Sequence, residues 1–127
     1  NQVTDSQAAF WDIMPTLLSL TETKNTAYTD GISIAPTLLT KGKQQKRDYL
    51  YWEFHEEGGR QAVRQGDWKL IVQKVKEPTQ TYMELYNLKE DPSESENCAP
   101  QNPKKVEQLF KLIKEAHKES ALFPLTS

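Results

Sequence analysis

A chain of 127 residues with 16 basic and 18 acidic side chains has a formal charge of −2, which gives no global attraction to nucleic acid. At 36% hydrophobic residues and a mean hydropathy of −0.76 it holds no apolar run of membrane-spanning length, while aromatic residues spread along it argue against disorder throughout. A single cysteine, Cys98, excludes an intrachain disulfide framework and a thiolate metal cluster.

Residues 1–9 are polar and aperiodic, without the basic start and apolar stretch of a secretory signal. The run FWDIMPTLLSL then places Ile13, Met14, Leu17, Leu18 and Leu20 at helical spacing, with Asp12 as N-cap and Pro15 in the first turn. ETKNTAYTDG reads as a loop, and a second short helix is expected near Ser33 with Pro36 in its first turn. Two short helices joined by a polar loop rarely build a core, so they read as the end of something larger.

From Tyr49 the period changes to two. Leu50, Trp52 and Phe54 fall on one face of a strand, with Tyr51, Glu53 and His55 on the other. Glu57-Gly58-Gly59 and Gly66-Asp67 are turn signals. Strands are therefore expected near 49–55, 60–65, 68–74 and 82–88. An acidic, Ser- and Pro-rich loop follows, and Asn102-Pro103 opens a helix over 103–118 with Val106, Leu109, Phe110, Ile113 and Ala116 as its apolar stripe. The fold class is α+β: a four-stranded antiparallel sheet packed by a C-terminal helix and preceded by two short helices. Trp52, Phe54, Val63, Trp68, Leu70 and Val72 are the strand residues expected beneath that helix.

Few residues could carry chemistry. His117, at a helix end, suits interaction with the helix dipole. His55-Glu56-Glu57 has no second histidine a helical turn on, so it is no zinc-protease motif. Cys98 lies in an acidic loop without a basic neighbour to lower its pKa, and EDPSESEN lacks the spacing of a calcium loop. No catalytic residue and no metal ligand is assigned within this chain.

DIMPTLLSL…DGISIAPTLL, YLYWEFHEEGGRQAVRQGDWKLI, ELYNLKEDPSESEN and the final helix, taken in order, resemble the C-terminal end of type I sulfatases. The arylsulfatase-like enzymes of polysaccharide-degrading bacteria are the nearest in pattern. The resemblance implies that residues 1–45 are terminal helices of a large alkaline-phosphatase-like domain and residues 46–127 a C-terminal α+β subdomain. It also implies a formylglycine nucleophile, made within C/S-x-P-x-R, and a calcium ion, both in a catalytic domain of the same polypeptide. Cys98-Ala99-Pro100-Gln101-Asn102 departs from that motif, with Asn102 in place of arginine. The implied partners are that catalytic domain and a sulfated carbohydrate, with a periplasmic or secreted location and no activity in this chain alone.

Within WEFHEEGGRQAVRQGDWKLIV, His55 and Arg60 flank the Glu56–Gly59 turn and are the candidate substrate contacts, since the guanidinium fork matches sulfate or carboxylate. The competing reading makes Arg60, Arg64 and Lys69 a solvated face paired with Glu53, Glu56, Glu57 and Asp67. A self-standing, non-catalytic binding or interaction module is the alternative to the sulfatase assignment.

Overall fold

Residues 49–54 alternate in character and the following segments do the same between turns, so the chain pairs with itself strand by strand. A computed structural model, which describes residues 3–24 and 28–125, places β1 at Leu50–Phe54, β2 at Arg60–Gln65, β3 at Trp68–Gln73 and β4 at Tyr82–Asn87. All neighbours are antiparallel, in the order β1-β2-β3-β4. Part of the expected loop 22–31 and the last two residues of the tail lie outside the described residues.

The β2–β3 connection is the two-residue turn Gly66-Asp67. Gly66 adopts φ +59° at its first position, which side chains rarely tolerate and hairpins of this length require.

The helix α3, Pro103–Ala116, covers one face of the sheet. Register decides which side chains meet it. Val63, Leu70 and Leu85 form one row with Tyr51, and Val72 and Met83 form the next with Gln61 and Glu53. Leu109 and Ile113 of α3 complete a core with Val63, Leu70, Val72 and Leu85, and Val106 and Phe110 pack at its margin.

One expectation fails here. Val63, Trp68, Leu70 and Val72 do lie toward α3, but Trp52 and Phe54 face the other way. Strand alternation leaves no choice once Val63 pairs with Tyr51, and β1 therefore turns Tyr51 and Glu53 toward the helix. Phe54 remains 45% exposed.

The acidic loop after β4 is largely exposed, but its far end docks on the sheet. Asn97 accepts the Leu85 N–H at 3.0 Å and donates to the Met83 carbonyl at 3.2 Å, while the Cys98 N–H reaches the Leu85 carbonyl at 2.9 Å. The loop thus satisfies edge groups of β4 that would otherwise be open for pairing with another chain. Asp91 shapes its outer part by accepting from the Ser95 and Glu96 N–H groups and from the Ser93 and Ser95 hydroxyls.

The chain divides into two compact units between Arg47 and Asp48. In the first, a 3-10 turn at Phe10–Asp12 leads into α1, Ile13–Leu20, and a short α2 follows at Ala35–Leu38. Asp12 stands at the N-cap position of α1 as expected, but its side chain makes no capping hydrogen bond to that helix. Its carboxylate instead accepts the Ala9 N–H at 2.8 Å and the Ile32 N–H at 2.9 Å, and Arg47 closes on it with both terminal nitrogens. The Thr16 hydroxyl donates to the Asp12 carbonyl and accepts the Ile34 N–H.

Candidate functional site

His55 and Arg60 are not brought together. His55 follows β1 on the α3 side, where Nε2 lies 3.4 Å from Glu53 Oε2 and Nδ1 lies 3.4 Å from the Pro124 carbonyl. Its ring meets Phe123 edge-on at 6.3 Å. Arg60 opens β2 on the opposite face, its guanidinium 5.3 Å from the Phe54 ring centroid and ion-paired with Glu57. Both members of that pair are well exposed, so the pair is weak and exchangeable. The row Phe54, Arg60, Gln73, Tyr82 therefore presents two exposed aromatic rings and a cation along one end of the sheet.

Of the other basic side chains singled out in the sequence, Lys69 is held by both carboxylate oxygens of Glu94 at 2.7 Å. Arg64 donates to the Gly66 carbonyl at 3.1 Å. Neither uses the acids expected from sequence proximity, because strand pairing and the returning loop supply nearer partners.

Glu53, read from the sequence as an acid paired with a solvated basic face, instead gathers Tyr51, His117 and His55 around its carboxylate. The Tyr51 hydroxyl donates to it and itself accepts from Gln61 Nε2 at 2.7 Å. His117, just past the end of α3, places Nδ1 2.5 Å from Glu53 Oε1 and Nε2 3.1 Å from Glu119 Oε1. Burial pushes the Glu53 carboxyl up, but the hydrogen bonds from His117 and Tyr51 outweigh it and hold Glu53 below its ordinary value. The same bonds to Glu53 and Glu119 raise His117 against the effect of burial. Tyr51 is pushed up by burial and by its bond to Glu53. The sequence held no signal for it, since Glu53 falls on the polar face of the alternating β1 run and only the Tyr51–Val63 pairing turns that face toward α3.

Cys98 does not suit the formylglycine role. Its thiol donates to the Leu85 carbonyl at 3.1 Å and packs against the core, and Asn102 uses its side-chain amide on the Cys98 carbonyl at 2.9 Å. Among the described residues no three His, Cys, Asp or Glu side chains are grouped so as to hold a metal ion. Cys98 thus does not fit the nucleophile of a sulfatase.

Residues 1–121 match the family model described as N-sulphoglucosamine sulphohydrolase, C-terminal. The chain belongs to this sulfatase family. Its fold is similar to that of a Bacteroides thetaiotaomicron VPI-5482 protein described as a sulfatase, with 29% identity and a TM-score of 0.69 over 82% of this chain and 23% of that one. A 2-O GAG sulfatase shares 28% identity at a TM-score of 0.67, again over 82% and 23%. A third structure, solved in complex with its substrate D-glucosamine-2-N,6-O-disulfate, shares 26% identity at 0.66 over 82% and 22%. The chain thus spans less than a quarter of the length of these sulfatase-family structures. No curated protein matches it.

Proposed function

We propose that this chain serves as the C-terminal part of a sulfuric ester hydrolase acting on sulfated sugars, in a periplasmic or secreted enzyme. It packs on the catalytic domain of the same polypeptide, borders the substrate cleft and has no activity by itself. The observation that carries this reading is the family match over residues 1–121, joined to similar structures whose descriptions concern sulfated glycosaminoglycan or glucosamine.

The first unit supports the packing role. Its polar Asp12 and Thr16 are buried while Phe10 is 86% exposed and Ile13, Met14, Leu17, Leu38 and Leu39 are also exposed. A helix built inside out in this way wants an apolar partner.

The donors for bond cleavage belong to the catalytic domain, where the family places formylglycine and calcium. The residues here bind and orient. Arg60 is the better placed of the two candidates, since a sulfate or carboxylate can replace the exposed Glu57 on its fork without disturbing the core.

The test is sulfate release from N- and O-sulfated glucosamine and from a panel of sulfated oligosaccharides. The intact protein is expected to turn over at least one, and the isolated chain to stay at background. Turnover by the isolated chain at the intact rate, or none by the intact protein on any member, would overturn the reading.

A further inference from the structure

The segment that follows α3 returns over β1. Leu125, 1% exposed, is seated close enough to the Glu56–Gly59 turn that a Cβ on Gly59 would lie 3.5 Å from its Cδ1. Phe123 and Pro124 reach His55, and Glu119 reaches His117. Both histidines of the protein therefore converge on the Glu53 carboxylate, and the second nitrogen of each faces an oxygen of the returning segment.

Donor arithmetic ties the two contacts of His117 to its charge state. Gln61 donates to Tyr51, Tyr51 donates to Glu53, and His117 lies between Glu53 and Glu119. A neutral imidazole has one N–H, and ionised carboxylates only accept, so both contacts are hydrogen bonds only when the ring is an imidazolium. We propose that residues 117–125 form an acid-fastened strap, in which protonated His117 ties Glu53 of β1 to Glu119 and loss of its proton breaks one of these two ties and loosens the strap on the sheet.

The charged and titratable groups around His117 agree with this. Glu53 and Tyr51 face it from β1 and Glu119 from the strap, and His55 stands on the far oxygen of Glu53. On α3, Lys114 lies over the Phe110 ring at 5.0 Å, and Lys118 follows His117 in the chain. Across the strands, β2 contributes the neutral Gln61, and beyond β1 Glu57 is taken by Arg60. A raised histidine stabilises fully below its ordinary value of 6.5, and the effect is lost as pH rises through the raised pKa. A lowered Glu53 stabilises above its ordinary 4.5 and the effect is lost as pH falls through the lowered pKa. The strap is therefore tightest between the ordinary values of 4.5 and 6.5 and loosens as pH rises through the raised His117 pKa. Because Leu125 abuts Gly59, a looser strap also loosens the turn that precedes Arg60.

Hydrogen exchange by mass spectrometry on the intact protein tests this at about pH 6 and about pH 9, with rates normalised to the unstructured chain. The Phe123 amide, which donates to Ser120, and the Gly59, Val75 and Lys76 amides at the turn beneath Leu125 are expected to lose about tenfold in protection at the higher pH, as befits one charge-assisted hydrogen bond, while the α3 and β2–β3 amides hold theirs. His117→Gln should show the high-pH value at both settings. Glu119→Gln, at an exposed position that leaves folding intact, should weaken the pH dependence and move its midpoint down. Strap protection unchanged with pH in the wild type, a wild-type response in His117→Gln, or an unmoved midpoint in Glu119→Gln would each overturn the proposal.

Discussion

Arg47 reaches across thirty-five residues to close on Asp12, both terminal nitrogens meeting the two carboxylate oxygens. Asp12 is 1% exposed and also accepts two backbone N–H groups, so the first unit is organised around a buried charge rather than an apolar core. Burial pushes the Asp12 carboxyl up, but Arg47 and the Ala9 and Ile32 N–H groups more than offset it and hold it below the ordinary 3.8.

Removing one partner of a buried pair leaves the other uncompensated. Arg47→Ala is therefore expected to cost about 3–5 kcal/mol in the stability of this unit, with Arg47→Lys intermediate because an ammonium cannot reproduce the fork. Urea denaturation of the intact protein, followed by exchange protection of residues 13–20, measures it. A loss under about 1 kcal/mol, the range of an exposed pair, would show that the carboxylate is not buried in solution. The pH dependence has a fixed sign. A lowered Asp12 contributes stability present above its ordinary value and lost as pH falls through the lowered pKa.

In the second unit the apolar period located α3, and the structure ranks its positions. Leu109 and Ile113 are buried completely, whereas Phe110 sits at the margin beneath Lys114. Leu109→Ala is expected to cost about 2–5 kcal/mol, and Phe110→Ala less than Leu109→Ala. Equal losses in chemical denaturation, or a larger one for Phe110, would show that the stripe is rotated about the helix axis from the position described.

The strands and α3 were legible because their periods of two and 3.6 are local properties of the chain. Which face of β1 meets the helix was not, since both faces carry large rings and only the Tyr51–Val63 pairing decides between them. The partners of Asp12 and Glu53 were hidden for a related reason. A carboxylate reads as solvated until its partners are known, and Arg47 and His117 lie thirty-five and sixty-four residues away. The polar loop after β4 hid its role likewise, since docking through Asn97 and Cys98 depends on where the edge strand lies.

Gly59 offers a test of the turn beside Arg60. It adopts φ +77°, and an added Cβ would approach Val75 Cγ2 to 2.8 Å and Lys76 Cγ to 3.2 Å. Gly59→Ala is expected to cost about 1–3 kcal/mol from backbone strain and crowding together. Gly66→Ala meets nothing within 4 Å and isolates the backbone contribution. Comparable thermal shifts for the two would remove the crowding from the account.

Arg60 and His55 separate the two readings of the stretch between Trp52 and Val72. In the intact enzyme, Arg60→Ala should lower kcat/KM on the natural sulfated sugar about ten- to hundredfold, the range of one charge-assisted hydrogen bond. A small aryl sulfate, which lacks the remote contacts, should be turned over almost as before, because binding energy from such contacts serves to orient the reacting group only in substrates that make them. The exposed Arg60–Glu57 pair should leave the melting temperature within a degree or so of wild type. His55→Ala is the contrast. Its ring touches Glu53, Phe123 and Pro124, so its loss should lower protection in residues 117–125 whatever the substrate. A substrate-selective loss of kcat/KM in His55→Ala would add that residue to the sugar contacts. Equal losses on sugar and aryl sulfate for Arg60→Ala, or none on either at unchanged stability, would leave the Phe54–Arg60 row as a solvated sheet face and nothing more.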